Sequence, residues 1–333
     1  MGVSKATVRR YRDFLSVALL AIAIGLSGDP SFAQETFPSR LVKVIVPFPP
    51  GSTLDALTRI VTDQLAQKWG QPVVIENVSG GGGNIGTERF ARSTPDGYTL
   101  LFAPPGPFTV NPLLYADVNF DPTKFAAISL MAKVPNVLLT KNNIGANSTL
   151  EVIALAKANP RKLTYATQGV GSTAFLTAKL FEARAGIEMV HVPYRGAGPA
   201  LSDIVAGHVD MMFDTIVTSL PLHRGGKAKI LAVANDERSR ALPELPTIAE
   251  SALPGFRSAS WFAVAAPPGT PGTTTEKISR DIAELIHRPE VDAKLRELQL
   301  DPLGSTPAEA VKFFAEETAL WSKVIKDANV KPQ

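Results

Sequence analysis

Between Val42 and Ala265 the chain repeats one alternation, a short apolar run followed by a stretch of helical periodicity. The runs are Val42–Val46, Val73–Glu76, Thr99–Phe102, Val137–Thr140, Leu163–Ala166, Met189–Val192, Met211–Phe213, Ile230–Val233 and Phe262–Ala265. They are rich in Val, Ile and Leu and do not alternate with polar residues, which suits strands buried on both faces of a parallel sheet. The helical stretches carry start and stop signals. Ser52-x-x-Asp55 and Ser148-x-x-Glu151 have capping-box spacing, and Pro199 suits the first turn of a helix that Gly207 ends after Ala206. Such β–α alternation predicts an α/β protein with open sheets. About ten strands strain a single open sheet, so two domains are expected. Beyond the last run, Pro267-Pro268-Gly269-Thr270-Pro271-Gly272 leads into amphipathic helices over Thr274–His287 and Pro307–Ala328. If the chain crosses to a second domain near 135 and returns near 258, those helices pack back on the first.

Residues 1–33 have the layout of a signal peptide. Arg9, Arg10 and Arg12 precede the apolar run Phe14–Leu26, and Ser31-Phe32-Ala33 supplies small residues for cleavage after Ala33. The run ends at Gly28-Asp29-Pro30, short of the ~20 apolar residues that span a bilayer. Arg12 and Asp13 interrupt the apolar positions of a twin-arginine signal, which favours the Sec route. Lys+Arg 34 against Asp+Glu 31 gives a net charge of +3, and removing the leader brings it closer to neutral. A nucleic-acid binder is not indicated. The sequence has no cysteine and four histidines without H-E-x-x-H, so thiol chemistry, Cys-ligated zinc and disulfides are excluded and no metal or cofactor is expected.

Chemistry is concentrated in loops between strands and helices. The first, Pro47-Phe48-Pro49-Pro50-Gly51-Ser52-Thr53-Leu54-Asp55, opens a helix and offers backbone N–H and hydroxyl donors to an anion, although capping alone also accounts for it. The second, Ser79–Gly86, contains G-x-G-x-x-G as Gly81, Gly83 and Gly86. A dinucleotide site wants an acid ~20 residues later, and the segment Ala103–Pro107 has none. This motif is therefore a loop that lets backbone approach closely. The third, Thr167–Thr173, is another helix start with glycines and hydroxyls. The fourth, Val192–Pro199, carries Tyr194 and Arg195, where Arg195 either pairs a carboxylate or is solvated. Asp214, at the end of a buried run, reads more as a cap than as a catalyst. No G-x-S-x-G or P-loop is present, and nothing joins a nucleophile to a base.

At these loops the sequence closely resembles the tripartite tricarboxylate transporter substrate-binding proteins, or Bug receptors. The resemblance rests on Val46–Gly51, Gly82–Glu88, Pro95–Leu101, Asn111–Tyr115, Pro135–Leu138, Val190–Gly196, Phe213-Asp214 and Pro243–Thr247, in the family's order over the mature chain. It implies a two-lobed periplasmic-binding-protein-like fold of type II, each lobe an open, mostly parallel sheet flanked by helices. Lobe 1 would be 34–135 plus 258–333, and lobe 2 would be 136–257. It implies a monomeric periplasmic receptor, not an enzyme. The receptor closes on a small organic acid and delivers it to membrane subunits of a tripartite transporter, or else signals to a sensor kinase.

By the same resemblance, Phe48, Pro49, Gly51, Ser52, Thr53 and Asp55 lie at one carboxylate, with Thr167, Gly169, Gly171 and Ser172 opposite. Asn84, Tyr194, Arg195, Gly196, Phe213 and Asp214 line the cleft. Two departures from the family pattern are Ser52, where a second glycine is usual, and Phe175, where a polar residue is common. If Phe175 faces the cleft, the ligand is a mono- or dicarboxylate with an apolar or aromatic body; the alternative places Phe175 in the core. A secreted enzyme is the rival reading, with Asp55 and Asp214 as its one candidate pair.

Overall fold

The computed structural model describes residues 37–327, apart from Gly171 and Asp236, together with Val330. The leader, Gly171 and the end of the last helix at Ala328 therefore lie outside the described residues. Arg40 onward forms one unit, and that unit is the subject below.

The apolar run at Val42–Val46 is strand β1, followed by α1 (Thr53–Trp69), β2 (Val73–Asn77), α2 (Asn84–Ala91) and β3 (Thr99–Ala103). Then come β4 (Ala126–Thr140), α3 (Thr149–Ala158), β5 (Thr164–Thr167), α4 (Thr173–Ala185), β6 (Val190–Pro193), α5 (Ala197–Ala206), β7 (Met211–Thr215), α6 (Ile216–Arg224) and β8 (Lys229–Val233). The C-terminal part holds β9 (Ala259–Ala266), α7 (Gly272–Ile286), α8 (Pro289–Glu297), β10 (Asp301–Pro302) and α9 (Pro307–Asp327). Each apolar run identified from the sequence coincides or overlaps with a strand, Leu163 and Met189 falling one residue before β5 and β6. Those runs do not reveal β10, the short helix α8 or the first part of β4.

The strand order is β2-β1-β3-β9-β4-β7-β5-β6, with β8 and β10 also on β4. Parallel pairing holds where β–α units repeat, at β2-β1-β3 and at β7-β5-β6. Pairings made by β4 and β9 are antiparallel, so the sheets are mixed. The cause is topological: one chain passes between two sheets and returns, and the two passes run in opposite directions. β4 spans 15 residues and belongs to both sheets. Up to Pro135 it pairs with β9, and from Asn136 it pairs with β7.

A buried polar knot marks this changeover. Ser260 Oγ donates to Asn136 Oδ1 at 3.0 Å, and the hydroxyls of Thr177 and Ser258 meet at 2.6 Å. Separate apolar clusters cover the two sheets. One gathers Phe90, Leu101, Phe125 and Trp261; the other gathers Leu138, Tyr165, Phe181, Phe213 and Phe256. α7 packs on α1 and β4, whereas α9 packs on β4 and also on α4. Among the described residues no helix is long and apolar enough to cross a membrane.

Candidate functional site

In open α/β sheets, ligands bind beyond the carboxyl ends of parallel strands, where helices begin. Here the loops after β1, β5, β6 and β7 do so around one cavity of about 220 Å³. It is smaller than the ~300–1,000 Å³ typical of drug-sized ligands, so it suits a small molecule. Ser52, Ser172, Gly196 and Thr215 are the N-cap residues of α1, α4, α5 and α6, and all of them line it. The first N–H groups of a helix have no intrahelical acceptor, and the dipole adds positive potential there. Such convergence favours an anion. Much of the remaining wall is apolar, including Phe48, Pro49, Pro50, Leu54, Pro104 and Phe262.

The β1–α1 loop is held by Asp55. Ser52 Oγ caps α1 by accepting the Asp55 amide at 3.2 Å, and the Asp55 carboxylate reaches back to the Gly51 amide at 3.1 Å. This is the expected capping box displaced by one residue. Gly51 sits at φ +82, a conformation that glycine adopts without steric cost. Asp55 also accepts from Arg59 and Asn77, and Asn77 holds the Phe48 carbonyl. Burial opposes ionisation, but the bonds from Arg59, Gly51 and Asn77 keep the carboxyl below its ordinary range. Asp55 is thus buried scaffold and does not line the cavity, while Phe48, Pro49, Gly51, Ser52 and Thr53 do.

Opposite, the Ser172 hydroxyl accepts the Phe175 amide at 3.2 Å and donates to the Gly169 carbonyl at 2.7 Å. Phe175 is not at the cavity. It is buried in a cluster with Leu176 and Trp321, its ring 5.0 Å from that of His191. Thr167 is buried as well, engaged by His191 Nε2 at 2.7 Å and by the Gly169 amide. Burial, with Lys179 nearby, pushes the His191 pKa down to about 4. Phe213 belongs wholly to the core, and Asn84 is buried, accepting from Asn111 at 2.6 Å.

Asp214 lines the cavity, fully buried. It accepts from Gln168, Thr218 and Ser219 and from the Thr215 amide, so it does organise the start of α6. Burial pushes its pKa up against those hydrogen bonds. Asp55 and Asp214 share no hydrogen-bond partner, and only Asp214 borders the cavity. Arg195 is exposed at the cavity wall, the one Lys or Arg in its lining, and no ion pair engages it among the described residues.

A second cavity of about 370 Å³ shares Phe48, Pro49, Gln168, Arg195 and Gly196 with the first. It adds Tyr194, Gly169 and the glycine loop. Tyr194 donates to Asp203 at 2.6 Å, and burial together with that carboxylate raises its pKa to about 12. The glycines permit close approach, but to protein atoms. A Cβ on Gly83 would lie 3.2 Å from the Phe48 ring, and one on Gly86 would lie 2.5 Å from the Val78 carbonyl. Sequence reasoning left Thr215, Thr218, Gln168, Thr173 and Ser260 out of the site, although all line the first cavity. For Gln168 and Thr173 their place in the third loop was a usable signal, and for Thr215 its place directly after Asp214. Among the described residues no group of three His, Asp or Glu is placed to hold a metal.

Two sheets flanked by helices, sharing long antiparallel strands beside such a cavity, define the periplasmic-binding-protein class of fold. Residues 57–330 match the tripartite tricarboxylate transporter family receptor. The protein BugT of Bordetella pertussis is 33% identical over 318 residues, covering 95% of this chain and 98% of that protein. The solved structure of R. palustris Rpa4515 with adipate is 36% identical with a TM-score of 0.86, covering 89% of this chain and 100% of that one. MatC (Rpa3494) from Rhodopseudomonas palustris with bound malate is 31% identical with a TM-score of 0.82, covering 87% and 100%. The chain belongs to the tripartite tricarboxylate transporter receptor family, the family of the Bug receptors. Its family and fold are those of solute-binding receptors.

Proposed function

We propose that this chain is a periplasmic receptor that closes on a small organic mono- or dicarboxylate and delivers it to the membrane subunits of a tripartite-type transporter. Residues 34–135 with 258–333 form one lobe and 136–257 the other. The observation that carries the reading is the convergence of the α1, α4, α5 and α6 N-termini on a cavity with a largely apolar wall and a single cation. A carboxylate held by amides and hydroxyls avoids much of the desolvation cost of a buried ion pair. Ser52 and Thr173 are the donors for it, because their hydroxyl protons have no acceptor among the described residues. Each helix end contributes roughly 0.3–2 kcal/mol, against about −8 kcal/mol for micromolar affinity. Apolar contacts with Phe48, Leu54 and Phe262 supply much of the rest, so an apolar or aromatic body fits. Arg195, between the two cavities, takes a second carboxylate where the ligand has one. Adipate and malate in the related structures agree with this ligand class.

A thermal-shift screen of the chain from Gln34 against small organic acids tests the reading. Binding to the folded state alone stabilises by RT ln(1 + [L]/Kd), about 2.7 kcal/mol at a hundred times Kd. One class of carboxylate is expected to raise Tm, and Ser52→Pro to abolish the rise. A cooperatively folded protein that no carboxylate shifts overturns it.

A further inference from the structure

One row of hydroxyls runs along the cavity wall from one sheet to the other. Thr53 Oγ1, at the start of α1, lies 2.9 Å from Thr215 Oγ1, at the end of β7. Thr215 Oγ1 lies 3.1 Å from Thr218 Oγ1, and Thr218 donates to Asp214 Oδ2 at 2.5 Å. Thr53, Thr215, Thr218 and Asp214 all line the cavity. A hydroxyl carries one proton and accepts through its lone pairs, so each member of such a row has a direction.

Asp214 sets that direction. Its carboxylate is surrounded by donors, and two of them, the Gln168 amide nitrogen and the Thr215 backbone N–H, cannot accept. Thr218 also lies 3.3 Å from the Thr215 carbonyl, but the 2.5 Å bond to Asp214 is much the shorter and takes the proton. With its proton on Asp214, Thr218 receives from Thr215, and Thr215 in turn receives from Thr53. The Thr53 proton is then engaged across the cleft, and toward the cavity Thr53 Oγ1 has only lone pairs to offer.

We infer that Thr53 meets the ligand as a hydrogen-bond acceptor, so the ligand is a carboxylate with a hydroxyl one or two carbons from its carboxyl group. This rests on the receptor reading above. The α1 amides beside Thr53 hold the carboxylate, which sets the short spacing between the two groups. A hydroxyl satisfies Thr53, whereas an ammonium would place positive charge among helix N-termini. Asp214, Thr218 and Thr215 act as positioning residues, through Thr53.

The test is calorimetric titration of the mature chain with matched acids, malate against succinate and 3-hydroxybutyrate against butyrate. The hydroxy acid is expected to bind about tenfold or more tightly, the cost of leaving a buried polar group without its partner. Thr215→Val keeps the side-chain shape and removes no cap, since Thr215 makes no side-chain cap bond. It frees the Thr53 proton, and the preference should fall to within about twofold. Thr215→Ser and Thr53→Ser retain the row and should retain the preference, and they guard against misfolding of the valine variant. Equal affinities for matched acids in the unaltered chain, or an undiminished preference in a folded Thr215→Val, overturn the inference. If another carboxylate raises Tm while neither hydroxy acid binds, the inference fails and the receptor reading stands; if no carboxylate binds at all, the receptor reading itself has failed.

Discussion

The helix starts at Ser52 and Ser172 are the same device put to different ends. Each serine accepts the amide three residues on at 3.2 Å. At Ser52 the third residue is Asp55, which turns back to fix the loop through the Gly51 amide. At Ser172 it is Phe175, which anchors the loop through the core instead. The hydroxyl protons differ as well: that of Ser172 is held by the Gly169 carbonyl, and that of Ser52 is left for the cavity. Side-chain type alone thus does not make a binding residue. What matters is which donors remain once the local structure has satisfied itself.

Substitutions can break or sharpen this contrast. Phe175→Ala should cost the most, about 3–5 kcal/mol in denaturant unfolding, the usual cost of truncating a buried Phe. Carboxylate affinity in the folded fraction should nevertheless stay within about threefold, because Phe175 is not at the cavity. A complete loss of affinity there would return it to the site. Asp55→Asn should cost about 1–2 kcal/mol at pH 7, with half-exposed Arg59 contributing little. Since the Asp55 pKa is held below its ordinary 3.8, the unfolded chain binds the extra proton as pH falls through that region. Its contribution is full above about pH 4 and is lost below it, so stability curves of the two proteins should converge in acid. Smallest is the paired comparison of Ser52→Ala with Ser172→Ala, each expected to lower stability by about 1 kcal/mol. Only Ser52→Ala should weaken carboxylate binding, by roughly five- to tenfold.

The parts of the site written in local chemistry were legible in the sequence. Gly51 and Ser52 at a strand end, and Gly169 and Ser172 at another, announce helix starts by residue type. The core strands announce themselves by Val, Ile and Leu. The first part of β4 does not, because Ser129, Lys133 and Pro135 interrupt the apolar pattern while the burial comes from pairing with β9 far along the chain. Thr218 and Ser260 are ordinary polar residues on a helix and a strand, and the crossing of two sheets brings them to the cavity. The place of Phe175 is not legible for a related reason: a helix start is visible in sequence, but the direction its third residue takes depends on His191 and Trp321. In the G-x-G-x-x-G spacing, Gly83 and Gly86 make room for Phe48 and Pro47.

If the cavity closes on a ligand as proposed above, the strand shared by both sheets also governs how its walls move apart. A slack linker would let the halves wander through many relative positions between captures. β4 is instead a stiff ribbon, hydrogen-bonded along both edges, that resists stretching and shear and yields chiefly to twist. Rotation about it would store elastic energy and return along the same path. Under the receptor reading Thr53 and Thr215 then come back to the same register at every closure, and the 2.9 Å contact between their hydroxyls can serve as a gauge of ligand fit.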